Sequence, residues 1–284
     1  MPGILTKIIR LLFLGIFLSN LACNNVKNNT FFTSSKYSVN DSILSNISEE
    51  IYFNNYYNDL DKMLQIVDSV KSEYPEHPIF EALKYKIFGH HHFVQGHYEE
   101  SEKYFDNALD IARIYKKQFP LFYETVLNNV SEISQKLYKY DEATSYIFEM
   151  IYFAEQIKDT NQFKKASRIY QLANILYNKG DYIGSIDFLR ESFRILQTYK
   201  PNTNDELYET LFLKFHIKKL QASALFNIWL YDKALNTINY AYQLEDSILQ
   251  IDKESIEFTK AVSAELKYLH SYILLKKKAI PTGR

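Results

Sequence analysis

From Asn40 onward, apolar residues recur at helical intervals, and short polar segments interrupt them. In four stretches a tyrosine follows such a turn, a small residue comes three positions later, and apolar or small residues come seven and ten positions later. Because these offsets stay on one face of an α-helix, the pattern predicts four amphipathic helices. The matching positions are Tyr98, Ser101, Phe105 and Ala108; Tyr140, Ala143, Ile147 and Met150; Tyr182, Ser185, Leu189 and Ser192; and Tyr231, Ala234, Ile238 and Ala241.

Periodic segments also precede these helices, most clearly before Tyr182 and Tyr98. The pattern resembles the tetratricopeptide repeat (TPR), and the resemblance implies antiparallel helix pairs. Small residues, Gly89 and Ala173 in one helix and Ser101 and Ser185 in the next, allow the two helices of a pair to approach closely. The repeat tyrosines lie 42, 42 and 49 residues apart, whereas the standard repeat has about 34 residues. We expect the extra length mostly in the second helix of each pair.

A degenerate earlier copy, with Tyr57, Leu60, Leu64 and Val67, brings the number of helix pairs to about five. The predicted fold is therefore all-α, an α-solenoid of about five antiparallel helix pairs with repeats of about 42 residues. The repeat domain is expected over 41–250, and 251–284 is expected to be a C-terminal capping helix and a basic tail.

The resemblance implies a curved, right-handed superhelix whose concave groove is lined by the first helix of each pair and binds a peptide or a partner helix. The alternative is a solvated wall that binds nothing. Groove positions on the first helices carry amides, aromatic rings and a few charges. They are Lys86, His90 and Phe93; Asn128, Asn129, Glu132 and Gln135; Tyr170, Asn174, Tyr177 and Asn178; and Lys219, Ser223, Phe226 and Asn227.

The first residues have a different composition. Lys7 and Arg10 precede the apolar run 11–18, which is too short to cross a bilayer and is typical of a secretory signal. The ending at Ala22-Cys23 resembles a bacterial lipoprotein signal, so we expect residues 1–22 to be removed, Cys23 to be lipidated and 23–40 to form a flexible tether. A plain secretory peptide that leaves Cys23 as a free thiol is the alternative.

The candidate chemistry is sparse. Four of the chain's seven histidines lie between His90 and His97, but neighbours on a helix diverge by about 100° per residue, and no pair has the four-residue spacing of a helical metal site. We expect no metal, no cofactor and no catalytic residue. The net charge of −1 gives no basic surface for nucleic acid.

These observations predict a membrane-anchored scaffold of the bacterial cell envelope that binds a protein or peptide, held outside the cytoplasm, at the outer membrane or the periplasmic face. The chain is not expected to be an enzyme. One alternative is the sensory domain of a bacterial regulator, because similar long repeats form the ligand-sensing part of such proteins. Another is an envelope lipoprotein that binds a nutrient or a glycan.

Overall fold

The computed structural model describes residues 39–53, 59–72, 74, 77–251 and 256–279. The signal segment, Cys23, most of the tether and Tyr57 lie outside the described residues. Within the described part of the chain there are eleven α-helices and no strand. They are α1 (Asp41–Phe53), α2 (Leu60–Lys71), α3 (Ile79–Gln95), α4 (Tyr98–Tyr115), α5 (Pro120–Lys136), α6 (Tyr140–Gln156), α7 (Gln162–Lys179), α8 (Tyr182–Thr198), α9 (Asn204–Asn227), α10 (Tyr231–Ile251) and α11 (Ile256–Ala279).

The helices form pairs as the sequence predicts, with each repeat tyrosine at the first position of a second helix: α4, α6, α8 and α10. The small and apolar positions that follow these tyrosines, together with Gly89 and Ala173, are all buried. In the α3/α4 pair the Ser101 hydroxyl donates to the Gly89 carbonyl at 2.8 Å. In the α5/α6 pair the Ser131 hydroxyl donates to the Ala143 carbonyl at 3.1 Å. Small residues therefore set the close contact between paired helices.

All four turns within these pairs share one hydrogen-bond pattern. The amide of His97 donates to the carbonyl of His92, and Lys139, Asp181 and Leu230 make the equivalent bond five residues back. The residue before each donor has positive φ, as a Schellman ending requires. Glycine occupies two of these four positions, and a bulky aromatic residue occupies the other two: Gly96, Gly180, Tyr138 and Trp229.

The extra length of the repeats is shared between both helices of a pair, so the expectation that the second helix takes most of it is wrong. Helices α3 and α4 have 17 and 18 residues, and α9 and α10 have 24 and 21. Paired helices bury a common interface, so two helices of similar length leave little of either apolar face without a partner.

The chain divides into two compact units, Met1–Ala154 and Glu155–Arg284. The first unit contains α1 to α5 and nearly all of α6, and the second contains the last residues of α6 and α7 to α11. In the second unit α11 packs against α10 and α9, which is the contact expected of a capping helix. None of the helices in the described ranges combines the length and the hydropathy needed to span a membrane.

Candidate partner-binding surface

The groove positions named from the sequence lie on the first helices of the pairs. We call these surfaces the first-helix face of the first unit, on α3 and α5, and the first-helix face of the second unit, on α7 and α9. The sequence predicts the same role for both surfaces. The side chains on them have different surroundings, so each is described separately.

Lys86 is the most buried charge on the first-helix face of the first unit, with 7% of its surface exposed. Its ammonium donates to the Ser48 hydroxyl of α1 at 3.4 Å and lies 5.9 Å from the centre of the Phe122 ring of α5. Burial lowers the pKa of Lys86 to about 8. No carboxylate of the described residues forms an ion pair with it. Lys86 of α3 thus contacts both α1, through the Ser48 hydroxyl, and α5, through the Phe122 ring.

His90 lies one turn after Lys86 and faces α5, where its Nε2 is 3.2 Å from the Nδ2 of Asn129. Burial and the charge of Lys86 lower the pKa of His90 to about 3, so the imidazole is neutral at physiological pH. Asn129 is 1% exposed, and its Oδ1 has no hydrogen-bond partner among the described residues. Asn129 thus contributes to the contact between α3 and α5 and lies beneath the surface.

Phe93 and Asn128 are also buried, while Glu132 is partly exposed. The ammonium of Lys136 lies 5.9 Å from the centre of the Phe93 ring. Burial raises the pKa of Glu132 to about 7, and Lys136 opposes that shift. Four of the seven groove positions predicted in this unit are therefore buried: Lys86, Phe93, Asn128 and Asn129.

Helix α1 lies against this face, and the sequence pattern does not reveal its position. The Asp41 carboxylate accepts hydrogen bonds from the backbone amides of Leu121 and Phe122 at 3.0 and 3.1 Å, at the start of α5. Leu44 and Ile47 of α1 are each 2% exposed. Helix α1 therefore reaches α5 directly as well as Lys86 of α3.

The first-helix face of the second unit is more open along α7. Tyr170, Asn174 and Tyr177 are partly exposed on one face of the helix, and Asn178 is exposed. Burial of its hydroxyl raises the pKa of Tyr170 to about 12. The Tyr177 hydroxyl accepts a hydrogen bond from the Asn227 amide at 3.1 Å, which fixes its direction. Asn227 belongs to α9, so the end of α9 positions a residue of α7.

Two of the four groove positions predicted on α9, Lys219 and Phe226, contact the C-terminal helix α11. The Lys219 ammonium pairs with the Glu265 carboxylate at 2.6 Å. The ring of Phe226 lies 5.2 Å from the ring of Tyr272. The sequence predicts a helix here but carries no signal for these two contacts.

The clustered histidines have separate surroundings. His91 bonds to Gln95 at 2.9 Å, and His92 stacks on Tyr104 with ring centres 5.2 Å apart. His97 is exposed and precedes the first residue of α4. Over the described part of the chain, no group of three or more His, Cys, Asp or Glu side chains is placed to hold a metal ion.

Two solved structures resemble this arrangement of helices. BtubC (BKLC) from P. vanneervenii gives a TM-score of 0.57 at 15% identity, over 73% of this chain and 82% of that chain. A protein of P. anserina described as a kinesin light chain with nearly identical TPR-like repeats gives 0.53 at 10% identity, over 74% and 98%. The fold is of the TPR type. The predicted all-α solenoid fold is thereby confirmed, and these likenesses concern the fold alone.

No protein-family model matches the sequence, and no curated protein matches it. The assignment of a TPR-type fold therefore depends on the arrangement of the helices and on the buried repeat positions.

Proposed function

We propose that this protein is a lipid-anchored TPR scaffold of the bacterial cell envelope that binds a protein or peptide partner through its first-helix faces. The open surface of α7 is the observation that carries the proposal. Tyr170, Asn174 and Tyr177 present two rings and an amide on one face of one helix, and all three are partly exposed.

The chemistry of this surface suits a polypeptide ligand. An amide side chain donates and accepts at once, as a peptide backbone requires. A tyrosine ring supplies contact area while losing little conformational freedom on binding. The hydrogen bond from Asn227 already orders Tyr177, so less entropy is lost when a partner binds.

The experiment is affinity capture from envelope extract with the mature chain, comparing the unchanged protein with Asn174→Ala plus Tyr177→Ala. We expect the double variant to lose a partner that the unchanged protein retains. The matched control is Asn236→Ala plus Tyr240→Ala, an exposed amide and tyrosine on α10, the second helix of the last pair. Equal capture by all three proteins, or equal loss in both variants, would contradict binding through the α7 surface.

Anchoring is tested separately. Cys23 follows the predicted signal segment and is the single cysteine of the chain. We expect labelled fatty acid to be incorporated into the unchanged protein in cells and not into Cys23→Ser. Incorporation that persists in Cys23→Ser would exclude this residue as the lipid attachment site.

A further inference from the structure

Helix α5 begins without a capping side chain of its own. Its N-cap residue is Phe119, which makes no side-chain hydrogen bond to the helix, and Pro120 follows at the first helical position. The next two amides would lack acceptors, since the first turn of a helix has no intrahelical partners for its N–H groups. Asp41 accepts from both, although it lies 80 residues earlier in the chain. Helix α1 thus supplies a charged cap to α5.

The rest of α1 fits the same surface through its apolar side. Leu44, Ile47 and Ile51 follow offsets of three and seven, form one stripe and are buried. Ser48, beside this stripe, accepts from the buried ammonium of Lys86. These contacts have the form of an amphipathic helix bound in a groove.

The charge of α1 is opposite to that of the groups it contacts on α3 and α5. Helix α1 contains Asp41, Glu49 and Glu50 and no basic residue. The surface that it contacts offers the buried ammonium of Lys86 and the N-terminal end of α5, which carries a partial positive charge. The Asp41 carboxylate at the N-terminal end of α5 is the contact that joins opposite charges here, so a helix with a carboxylate at this position matches the electrostatics of this face.

We propose that the first-helix face of the first unit is a binding site for an acidic amphipathic helix, and that α1 occupies this site in cis. The proposal rests on the proposed function and names the class of partner for one of its two surfaces. A partner helix would carry a carboxylate three residues before an apolar stripe with the spacing of Leu44, Ile47 and Ile51. It would bind by replacing α1.

Replacement of α1 by a separate peptide is measurable because α1, which is part of the same chain, competes strongly with that peptide for the site. A segment joined to its site by a short linker has an effective concentration of about a millimolar, so it raises the apparent Kd of a free competitor by one or more orders of magnitude. Weakening the docking of α1 should remove most of this competition.

The test uses a fluorescein-labelled peptide of residues 39–53 and the full mature chain, with binding followed by fluorescence anisotropy. The variant Ile47→Asp places a charge on the buried stripe, and the neighbouring Asn46→Asp places the same side chain at an exposed position of the same helix. We expect the peptide to bind Ile47→Asp at least about tenfold more tightly than it binds the unchanged protein or Asn46→Asp. Adding Lys86→Met to Ile47→Asp should weaken binding again.

Two results would overturn the proposal. One is equal peptide affinity for Ile47→Asp, Asn46→Asp and the unchanged protein. The other is a loss of helical circular dichroism in Ile47→Asp that exceeds what the 13 residues of α1 can contribute and does not recover on peptide addition, which would make α1 an integral part of the fold. Asp41→Asn, which keeps the apolar stripe and removes only the charge of the cap, provides a milder second variant and should also increase peptide binding.

This test does not depend on finding a partner. If the peptide fails to bind while affinity capture through α7 succeeds, the helix site is wrong and the scaffold function stands. If the peptide binds and no partner is captured, the helix site stands and the proposed function fails.

Discussion

The helix pairs α3/α4 and α7/α8 place different residues at the same repeat positions. In the first pair the small position is Gly89, and the residue opposite is Phe105. In the second pair the corresponding residues are Ala173 and Leu189, both buried. The larger side chain, Phe105, thus occurs with glycine, and the smaller one, Leu189, occurs with alanine. The two helix pairs therefore differ in residue identity at these positions, while the combined volume of the two facing side chains stays similar.

Gly89→Ala is expected to give the largest effect. A Cβ on Gly89 would lie 2.5 Å from the nearest ring carbon of Phe105, so the helices must shift or the ring must move. Overpacking of this kind typically costs about 1–3 kcal/mol in the free energy of unfolding, measurable by urea denaturation. The matched change in the other pair, Ala173→Gly, should cost about 1 kcal/mol through helix propensity and a lost methyl contact.

If the combined volume of the two facing side chains sets the packing, Phe105→Leu should compensate for Gly89→Ala. The double variant has the alanine and leucine found in α7/α8. The double variant should be more stable than the sum of the two single losses predicts, by roughly 1 kcal/mol or more. Strict additivity of the two changes would show that the ring and the missing methyl group are not coupled.

The two units also differ at the position eight residues before the repeat tyrosine. Glu132 occupies it in α5 and Asn174 occupies it in α7. Only the first is ionisable, and burial raises its pKa to about 7. We therefore expect Glu132 to make the stability of the first unit depend on pH near neutrality, an effect that Asn174 cannot produce on α7.

Glu132→Gln should stabilise the protein above neutral pH. Below the unfolded-state pKa of 4.5 the carboxyl is protonated in both states, and between 4.5 and about 7 the unfolded state releases its proton first. Stability of the unchanged protein therefore falls as pH rises through this window. With allowance for partial exposure, we expect a gain of about 1–2 kcal/mol for Glu132→Gln at pH 8 and none at pH 4. His90 and Lys86 titrate in both proteins, so the difference between the two urea curves isolates Glu132.

The repeat positions are the part of the fold that the sequence predicts well. Offsets of three, seven and ten from a tyrosine report which side of a helix is buried, and the side chains at those offsets are buried in both units. Periodicity does not report which helix lies opposite. The position of α1 depends on hydrogen bonds that the Asp41 carboxylate accepts from the amides of Leu121 and Phe122, 80 and 81 positions later. Lys219 donates to Glu265, 46 residues away. The predicted groove residues lie on the first helices, but periodicity does not reveal that α1 contacts Lys86 or that α11 contacts Lys219 and Phe226.

Ser101 and Ser185 are equivalent and fully buried, but only one of them is bonded. The Ser101 hydroxyl donates to the Gly89 carbonyl at 2.8 Å, whereas the Ser185 hydroxyl has no partner among the described residues. Ser101→Ala should therefore cost about 1 kcal/mol, and Ser185→Ala should be neutral or slightly stabilising. Equal losses in thermal denaturation would mean that packing around the hydroxyl, and not the hydrogen bond, determines its contribution.

The turns within the four helix pairs differ at the residue with positive φ. Gly96 and Gly180 have φ of 81° and 92°, while Tyr138 and Trp229 adopt 61° and 68° at the same point of the Schellman ending. A left-handed backbone costs a non-glycine residue about 1 kcal/mol or more. Tyr138 and Trp229 are 79% and 75% exposed, so burial of their rings offsets little of that cost.

Tyr138→Gly and Trp229→Gly should each stabilise the protein by about 0.5–1 kcal/mol, because glycine adopts positive φ without a steric penalty but loses more entropy on folding. Tyr138→Ala and Trp229→Ala are the controls, since they remove the ring and keep the strained backbone, so neither should stabilise. The urea midpoints of the four variants separate the two contributions. If glycine and alanine have the same effect at both turns, the ring rather than the backbone sets the stability there. The backbone explanation requires a gain with glycine alone, in the first unit and in the second alike.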